Sequence, residues 1–262
     1  MSLDRAPTPL PRRVVSLVPS LTESLFALGL GSHLVGVTEW CVHPAEAVAA
    51  LPKVGGTKNP DLAAIRALRP DLVIANREEN KRQDVERLEA AGIPVWVTYP
   101  RTVADGVALL RELALAGGAR RALAETVEPV ERALAEAHAT RSSGGPRVFC
   151  PIWKRPWMAV GADTYAHDLI TVCGGANVFA ERGERRYPIV SEEEIVAAAP
   201  DVVLLPDEPY AFGPLDVTEI ARLPVPAVRA GRVHLLDGTL LTWYGPRVAR
   251  ALATLRVLLV PK

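Results

Sequence analysis

Short apolar runs closed by turn residues alternate with amphipathic stretches along almost the whole chain. The runs predict strands at about Val14–Val18, Leu34–Thr38, Leu72–Ala75 and Val95–Thr98, and again at Val148–Ile152, Met158–Val160, Val202–Leu205 and Val233–Leu236. The stretches between them predict helices over Ser20–Leu28, Asp61–Leu68, Lys81–Ala91, Tyr165–Val172, Ser191–Ala198 and Pro246–Leu259. Strands that alternate with helices predict parallel sheets covered on both faces, an α/β fold.

One module of this pattern occurs twice. Ile65-Arg66-Ala67-Leu68-Arg69-Pro70-Asp71-Leu72-Val73-Ile74 is answered by Ile195-Val196-Ala197-Ala198-Ala199-Pro200-Asp201-Val202-Val203-Leu204, each identity displaced by 130 positions. Asp61 and Ser191 keep that displacement, and both can accept a bond from a free N–H at a helix start. In each copy a helix must stop before proline, whose ring disfavours a helical residue ahead of it. Arg13-Val14-Val15 and Arg147-Val148-Phe149 stand near the same offset. The chain is therefore expected to build two similar lobes, about 13–102 and 146–262, with a ligand cleft between them.

Between the lobes, Val103 to Ala139 is rich in Ala, Leu, Glu and Arg, broken only by Gly117-Gly118 and Pro129. About 35 residues of helix would reach roughly 50 Å, so 103–140 is expected to be one long connecting helix. Arg141-Ser142-Ser143-Gly144-Gly145-Pro146 reads as a loop.

Thirty basic and thirty acidic residues cancel, leaving no net field to recruit nucleic acid or an anionic membrane. No apolar run approaches the roughly 20 residues of a membrane span. Met1–Pro7 lacks the apolar core of an export signal, which predicts a cytoplasmic protein, or one of the periplasm or cell envelope if a leader has been removed. Cys41, Cys150 and Cys173 have no metal-like spacing and read as buried thiols.

Ser16-Leu17-Val18-Pro19-Ser20-Leu21-Thr22-Glu23 ahead of an amphipathic helix resembles the opening of the periplasmic-binding-protein-like receptors for cobalamin and ferric chelates that feed ABC importers. Gly55-Gly56, Leu68–Val73, Cys173–Phe179 and Tyr187-Pro188 through Ser191 carry the same resemblance, in order, from Arg13 to the C-terminal helix. It is closest to the cobalamin-binding branch. The resemblance implies two Rossmann-like lobes joined by one long backbone helix, a metal-chelate ligand and an ABC permease as partner. It also implies one docking Glu on each lobe. Glu193 matches that position in the second lobe, but Ala63 stands at the first. Thr57 and Asn76 fall where the cobalamin branch is expected to carry bulky rings.

In parallel sheets ligands bind beyond the carboxyl ends of the strands. Pro19 and Ser20 open a helix there, and their segment reads either as a backbone oxygen-binding site or as a plain cap by Ser20. Glu39 and Trp40 follow the second strand, with Trp40 at a family aromatic position, so it reads as ligand wall or as core. Asn76 and Arg77 follow the third strand and Tyr99 the fourth. In the second lobe, Trp153, Lys154 and Trp157 suit a large, partly anionic ring system through stacking and charge. Tyr187 matches a family aromatic, and Trp243 and Tyr244 complete the rim. Cys41 and His43 supply too few ligands for a metal. No Walker A, G-x-S-x-G or dinucleotide fingerprint is present, and the adjacent Asp207 and Glu208 would point apart. The expectation is a non-enzymatic binder with no intrinsic cofactor, its ligand cobalamin or another metal chelate. A cytoplasmic carrier or sensor, or an enzyme acting on a corrinoid, are the competing readings.

Overall fold

The structure is a computed structural model that describes residues 2–3, 5–141, 144–182 and 186–260. Its chain divides into two compact units. The first comprises Met1–Pro100, Asp105–Glu131 and Tyr244–Pro246, and the second Arg101–Ala104, Arg132–Trp243 and Arg247–Lys262.

In the first unit the predicted apolar runs become β1 (Ser2–Leu3), β2 (Val14–Ser16), β3 (Leu34–Val37), β4 (Leu72–Asn76) and β5 (Val95–Thr98). Among the described residues they form one parallel sheet in the order β1-β5-β4-β2-β3. Helices α1 (Pro19–Ala27), α2 (Ala45–Ala49), α3 (Leu62–Ala67) and α4 (Arg82–Ala90) alternate with the strands. Burial of β4 along its whole length explains why its sequence is a continuous apolar run rather than an alternating one.

The predicted connecting helix is broken. α5 (Val103–Ala116) stops at Gly117-Gly118, where Gly118 takes a left-handed conformation (φ +64) and Ala119 donates back to the Ala114 carbonyl. The chain then resumes as α6 (Arg120–Ala122), a π-helical turn at Leu123–Val127, and α7 (Glu128–Ala139). Arg111 grips Glu131 bidentately at 2.5 and 2.6 Å. In one continuous helix those residues would stand about 30 Å apart, so α5 and α7 fold back on each other. The glycine pair, read as a mere interruption, ends the helix. The predicted loop at 141–146 includes Ser142 and Ser143, which lie outside the described residues.

The second unit contains β6 (Arg147–Phe149), β7 (Pro151–Trp153), β8 (Trp157–Ala159), α8 (Tyr165–Val172), β9 (Ala176–Asn177), β10 (Ile189–Val190), α9 (Glu192–Ala197), β11 (Val202–Pro206), α10 (Pro214–Ile220), α11 (Pro226–Arg229), β12 (Val233–Leu236), α12 (Thr239–Thr242) and α13 (Val248–Leu259). Its parallel sheet runs β12-β11-β6-β9 among the described residues, beside a small antiparallel sheet β10-β8-β7. The single strand predicted at Val148–Ile152 is thus two strands serving two sheets.

The repeat is visible as a shared corner. Asp61 caps α3 by accepting from Ala63 and Ala64 N–H at 2.9 Å, and Ser191 caps α9 in a reciprocal box with Glu194. At the other end, Arg69 and Ala199 take left-handed conformations (φ +45 and +41) just before Pro70 and Pro200. Arg13 donates to the Leu68 and Arg69 carbonyls, and Arg147 donates twice to the Ala198 carbonyl. The Asp71 and Asp201 N–H groups then bond the Arg13 and Arg147 carbonyls, each at 2.8 Å. Ile65 and Val73 in the first core, and Ile195 and Val203 in the second, are repeat partners. Arg147→Ala should lower unfolding free energy by about 1–2 kcal/mol, through loss of charge-assisted bonds to the end of α9. Urea denaturation measures it, and an unchanged midpoint would show that the corner holds without its arginine.

Candidate functional site

In the first unit, the segments that leave the carboxyl ends of β2, β3, β4 and β5 are tied into one polar network. Asn76, at the end of β4, is 4% exposed. Its side-chain oxygen accepts from the Glu78 and Glu79 N–H groups at 2.8 and 3.3 Å. Its amide donates to Tyr244 Oη at 2.9 Å and Thr98 Oγ1 at 3.3 Å. Two donors and two lone pairs are the full capacity of an amide. Asn76 therefore organises the strand ends. Asn80 extends the network by accepting the Asn76 N–H and donating to the Thr57 carbonyl at 2.9 Å. Lys58 Nζ ties the same loop to the Glu78 carbonyl.

Tyr244 is buried in this network, and burial pushes its phenol far above its usual range. It therefore acts as a neutral anchor rather than a rim group. The next residue, Gly245 (φ +107), lies so close to Ser24 that a Cβ would stand 2.3 Å from its hydroxyl. Pro19 occupies the first turn of α1, and Ser20 lies within the helix, so the expected cap by Ser20 is absent. Ser20 is 2% exposed, and its hydroxyl has no partner among the described residues.

Of the predicted ligand groups of this unit among the described residues, three side chains are exposed. Glu39 is exposed. Trp40 is 62% exposed, which removes the core reading, and its indole nitrogen lies 3.4 Å from where a Cβ on Gly56 would stand. Glycine at 56 thus gives the indole a flat backbone seat. Arg77, also exposed, places its guanidinium 4.9 Å from the centre of the half-buried Tyr99 ring. Thr57 is half-buried.

In the second unit the Trp153–Trp157 cluster separates by role. Trp153 is 44% exposed and meets Tyr210 edge-to-face, ring centres 5.5 Å apart. Trp157 is 7% exposed, stacked on Phe212 at 6.0 Å and packed edge-on to Phe149 at 6.2 Å. β8 turns this indole into the core. Lys154, also expected to meet ligand, lies inside as well. It is 6% exposed, and Nζ donates to Asp216 and Glu219 at 2.6 Å each. Burial opposes its charge, but those two carboxylates outweigh it and raise its pKa. Sequence reading missed Asp216 and Glu219. Their i, i+3 spacing just after Pro214 was the available signal.

Tyr187 is half-buried. Trp243 is buried beneath Arg247, whose guanidinium lies 4.8 Å from the ring centre. Glu193 is exposed in the first turn of α9. Cys41 is buried, its sulfur 3.1 Å from both the Thr22 and Thr38 hydroxyls. Among the described residues no three His, Cys, Asp or Glu side chains converge as metal ligands, and no helix is long and apolar enough to cross a membrane.

The periplasmic binding protein family matches residues 14–240, and the chain belongs to that family. The vitamin B12-binding protein of Pectobacterium carotovorum is 29% identical over 223 residues, covering 84% of this chain and 80% of the relative. The periplasmic heme-binding protein RhuT of Roseiflexus sp. RS-1 shares the fold with a TM-score of 0.79 and 29% identity, over 95% of this chain and 97% of its own. The periplasmic vitamin B12-binding protein BtuF of Vibrio cholerae gives a TM-score of 0.79 at 25% identity, over 96% and 97%.

Glu208, just beyond β11, supplies a pH test. Burial raises its pKa, opposed by hydrogen bonds from Thr242 (2.5 Å) and Trp243, while Asp207 and Asp237 add repulsion. A carboxyl raised on folding stabilises most below its unfolded value near 4.3, and that contribution is lost as pH rises through the folded value. Glu208→Gln should therefore gain stability over the parent protein as pH rises from about 4 to 7. Urea midpoints across that range measure the gap, and a pH-independent gap would contradict the assignment.

Proposed function

We propose that this chain is the solute receptor of an ABC import system and that its ligand is a flat metal chelate, a haem or a corrinoid. The observation that carries the reading is a pair of exposed indoles, Trp40 after β3 and Trp153 at the end of β7, in a chain of this family. Exposed indoles offer flat apolar faces to a macrocycle. The relatives named as vitamin B12-binding and heme-binding support that ligand class. They are named as binding proteins, and the two solved structures as periplasmic. This favours an exported receptor over a cytoplasmic carrier, a sensor or a corrinoid enzyme.

Within this reading the exposed groups in the first unit are Glu39, Trp40 and Arg77, with the half-buried Tyr99 and Thr57 as further candidates. In the second unit the exposed group is Trp153, with the half-buried Tyr187 and the buried Trp243 under Arg247 as further candidates. Docking on the permease would use Glu193. On α3 the matching position is Ala63, and the carboxylate of Asp61 is engaged in capping the helix. The first unit would therefore dock without the carboxylate that the second supplies.

Titration with ferric haem and with cyanocobalamin, read by tryptophan quenching, tests the reading. Saturable binding of at least one is expected, and binding of neither would remove the proposal. Trp40→Ala and Trp153→Ala should each weaken binding about two- to tenfold, the worth of one ring contact, with little change in melting. Trp157→Ala should instead cost about 3–5 kcal/mol of stability, as a large core deletion does. Equal destabilisation by all three would mean that the exposed indoles are structural.

A further inference from the structure

Trp153 and Lys154 are neighbours with opposite fates, one open to solvent and the other buried. The turn that follows is held by Arg155 in a left-handed conformation (φ +63). Lys154 reaches α10, where Asp216 Oδ1 and Glu219 Oε2 accept its protons. Asp216 is itself fixed, because its other oxygen accepts the Gly213 N–H at 2.8 Å. Gly213 directly follows Phe212, whose ring packs 4.6 Å from that of Tyr210, and Tyr210 meets Trp153 at 5.5 Å. The contacts close a circuit: Lys154, Asp216, Gly213, Phe212, Tyr210, Trp153, and back along the chain to Lys154.

We propose that Lys154 is a positioning residue, which through the start of α10 fixes Tyr210 and so sets the orientation of the Trp153 indole. The ligand role assigned to that indole rests on the reading above, but the circuit itself does not. Two charge-assisted bonds at 2.6 Å in a buried place tolerate little rotation. Without them the 207–213 segment keeps its link to α10 and the Phe212–Trp157 stack, but loses the charged tie that holds the start of α10 to the β7–β8 hairpin beside Trp153. Trp153 then loses the fixed edge of Tyr210 against which it rests. A ring already held in its bound orientation avoids the entropy of being ordered by the ligand, which is why such a clamp strengthens binding without touching the ligand.

The test compares Lys154→Met and Lys154→Arg with the parent protein by near-ultraviolet circular dichroism and by titration with ferric haem and cyanocobalamin. The spectral component lost in Trp153→Phe identifies the Trp153 signal. Lys154→Met is expected to lose that component and to bind the accepted probe about tenfold more weakly, while Lys154→Arg restores both. If Lys154→Met does not fold, Glu219→Gln, which keeps the bond to Asp216, should show partial loss of the same component. A lower melting temperature with the Trp153 component and affinity intact would overturn the proposal and leave a merely structural lysine. Failure of the parent protein to bind either probe would remove the functional reading alone, because the spectral comparison still decides the positioning role.

Discussion

Both units turn on the corner between a helix and the buried strand that follows it. A helix ending against a proline leaves its last carbonyls without partners, and the ring bars a helical conformation in the residue before it. Arg69 and Ala199 answer by entering left-handed space, a costly place for any residue with a Cβ. Arg13 and Arg147, arriving from the neighbouring strand, satisfy the carbonyls that this turn exposes. The same arginines accept the first N–H of the new strand on their own carbonyls. One residue therefore ends a helix and sets the register of β2 against β4, or of β6 against β11. Register in turn decides where each strand runs out, and the candidate ligand groups stand at those ends.

Availability of a side chain depends on what the folded chain has already asked of it. Asn76 and Lys154 at strand ends, and Tyr244 just after α12, are polar groups for which ligand contacts were expected. Each is consumed by partners within its own unit: the amide by four bonds, the ammonium by two carboxylates, the phenol by Asn76. Leaving such groups unmet in a low-dielectric interior is expensive, so burial and saturation go together. What remains open is mostly aromatic or guanidinium, and such groups tolerate exposure while keeping a large contact area. Ser20 is the exception, a buried hydroxyl without a partner among the described residues.

Strand and helix positions were legible because period and punctuation are local properties. Val95–Thr98, Val233–Leu236 and Tyr165–Val172 fall where the pattern places them. The repeat was legible too, since identities at one displacement need no knowledge of packing. The α5–α7 fold-back was not, because composition favours helix on both sides of Gly117-Gly118 and only the Arg111–Glu131 pairing reveals the reversal. Nor was the split between Trp153 and Trp157. Both flank the same short turn, and which one faces solvent depends on packing against Phe149 of β6 and against Phe212, some 55 residues onward. The Lys154 clamp was hidden for the same reason, since its carboxylates lie some 60 residues onward.

The two units keep the corner and diverge beyond it, and the divergence has a direction. At displacement 130, Arg77 corresponds to Asp207, Glu78 to Glu208, and Thr57 to Tyr187. Changing a corner residue disturbs a helix end, a strand start and a buried core at once. Changing the first residue past the strand disturbs mainly solvent. The first unit consequently ends β4 in a cation laid on Tyr99. The second ends β11 in an acidic pair, with Asp207 receiving the Gly238 N–H and Glu208 held by Thr242. Equivalent points of the repeat therefore carry unlike chemistry, a cation over an aromatic ring in the first unit and an acidic pair in the second.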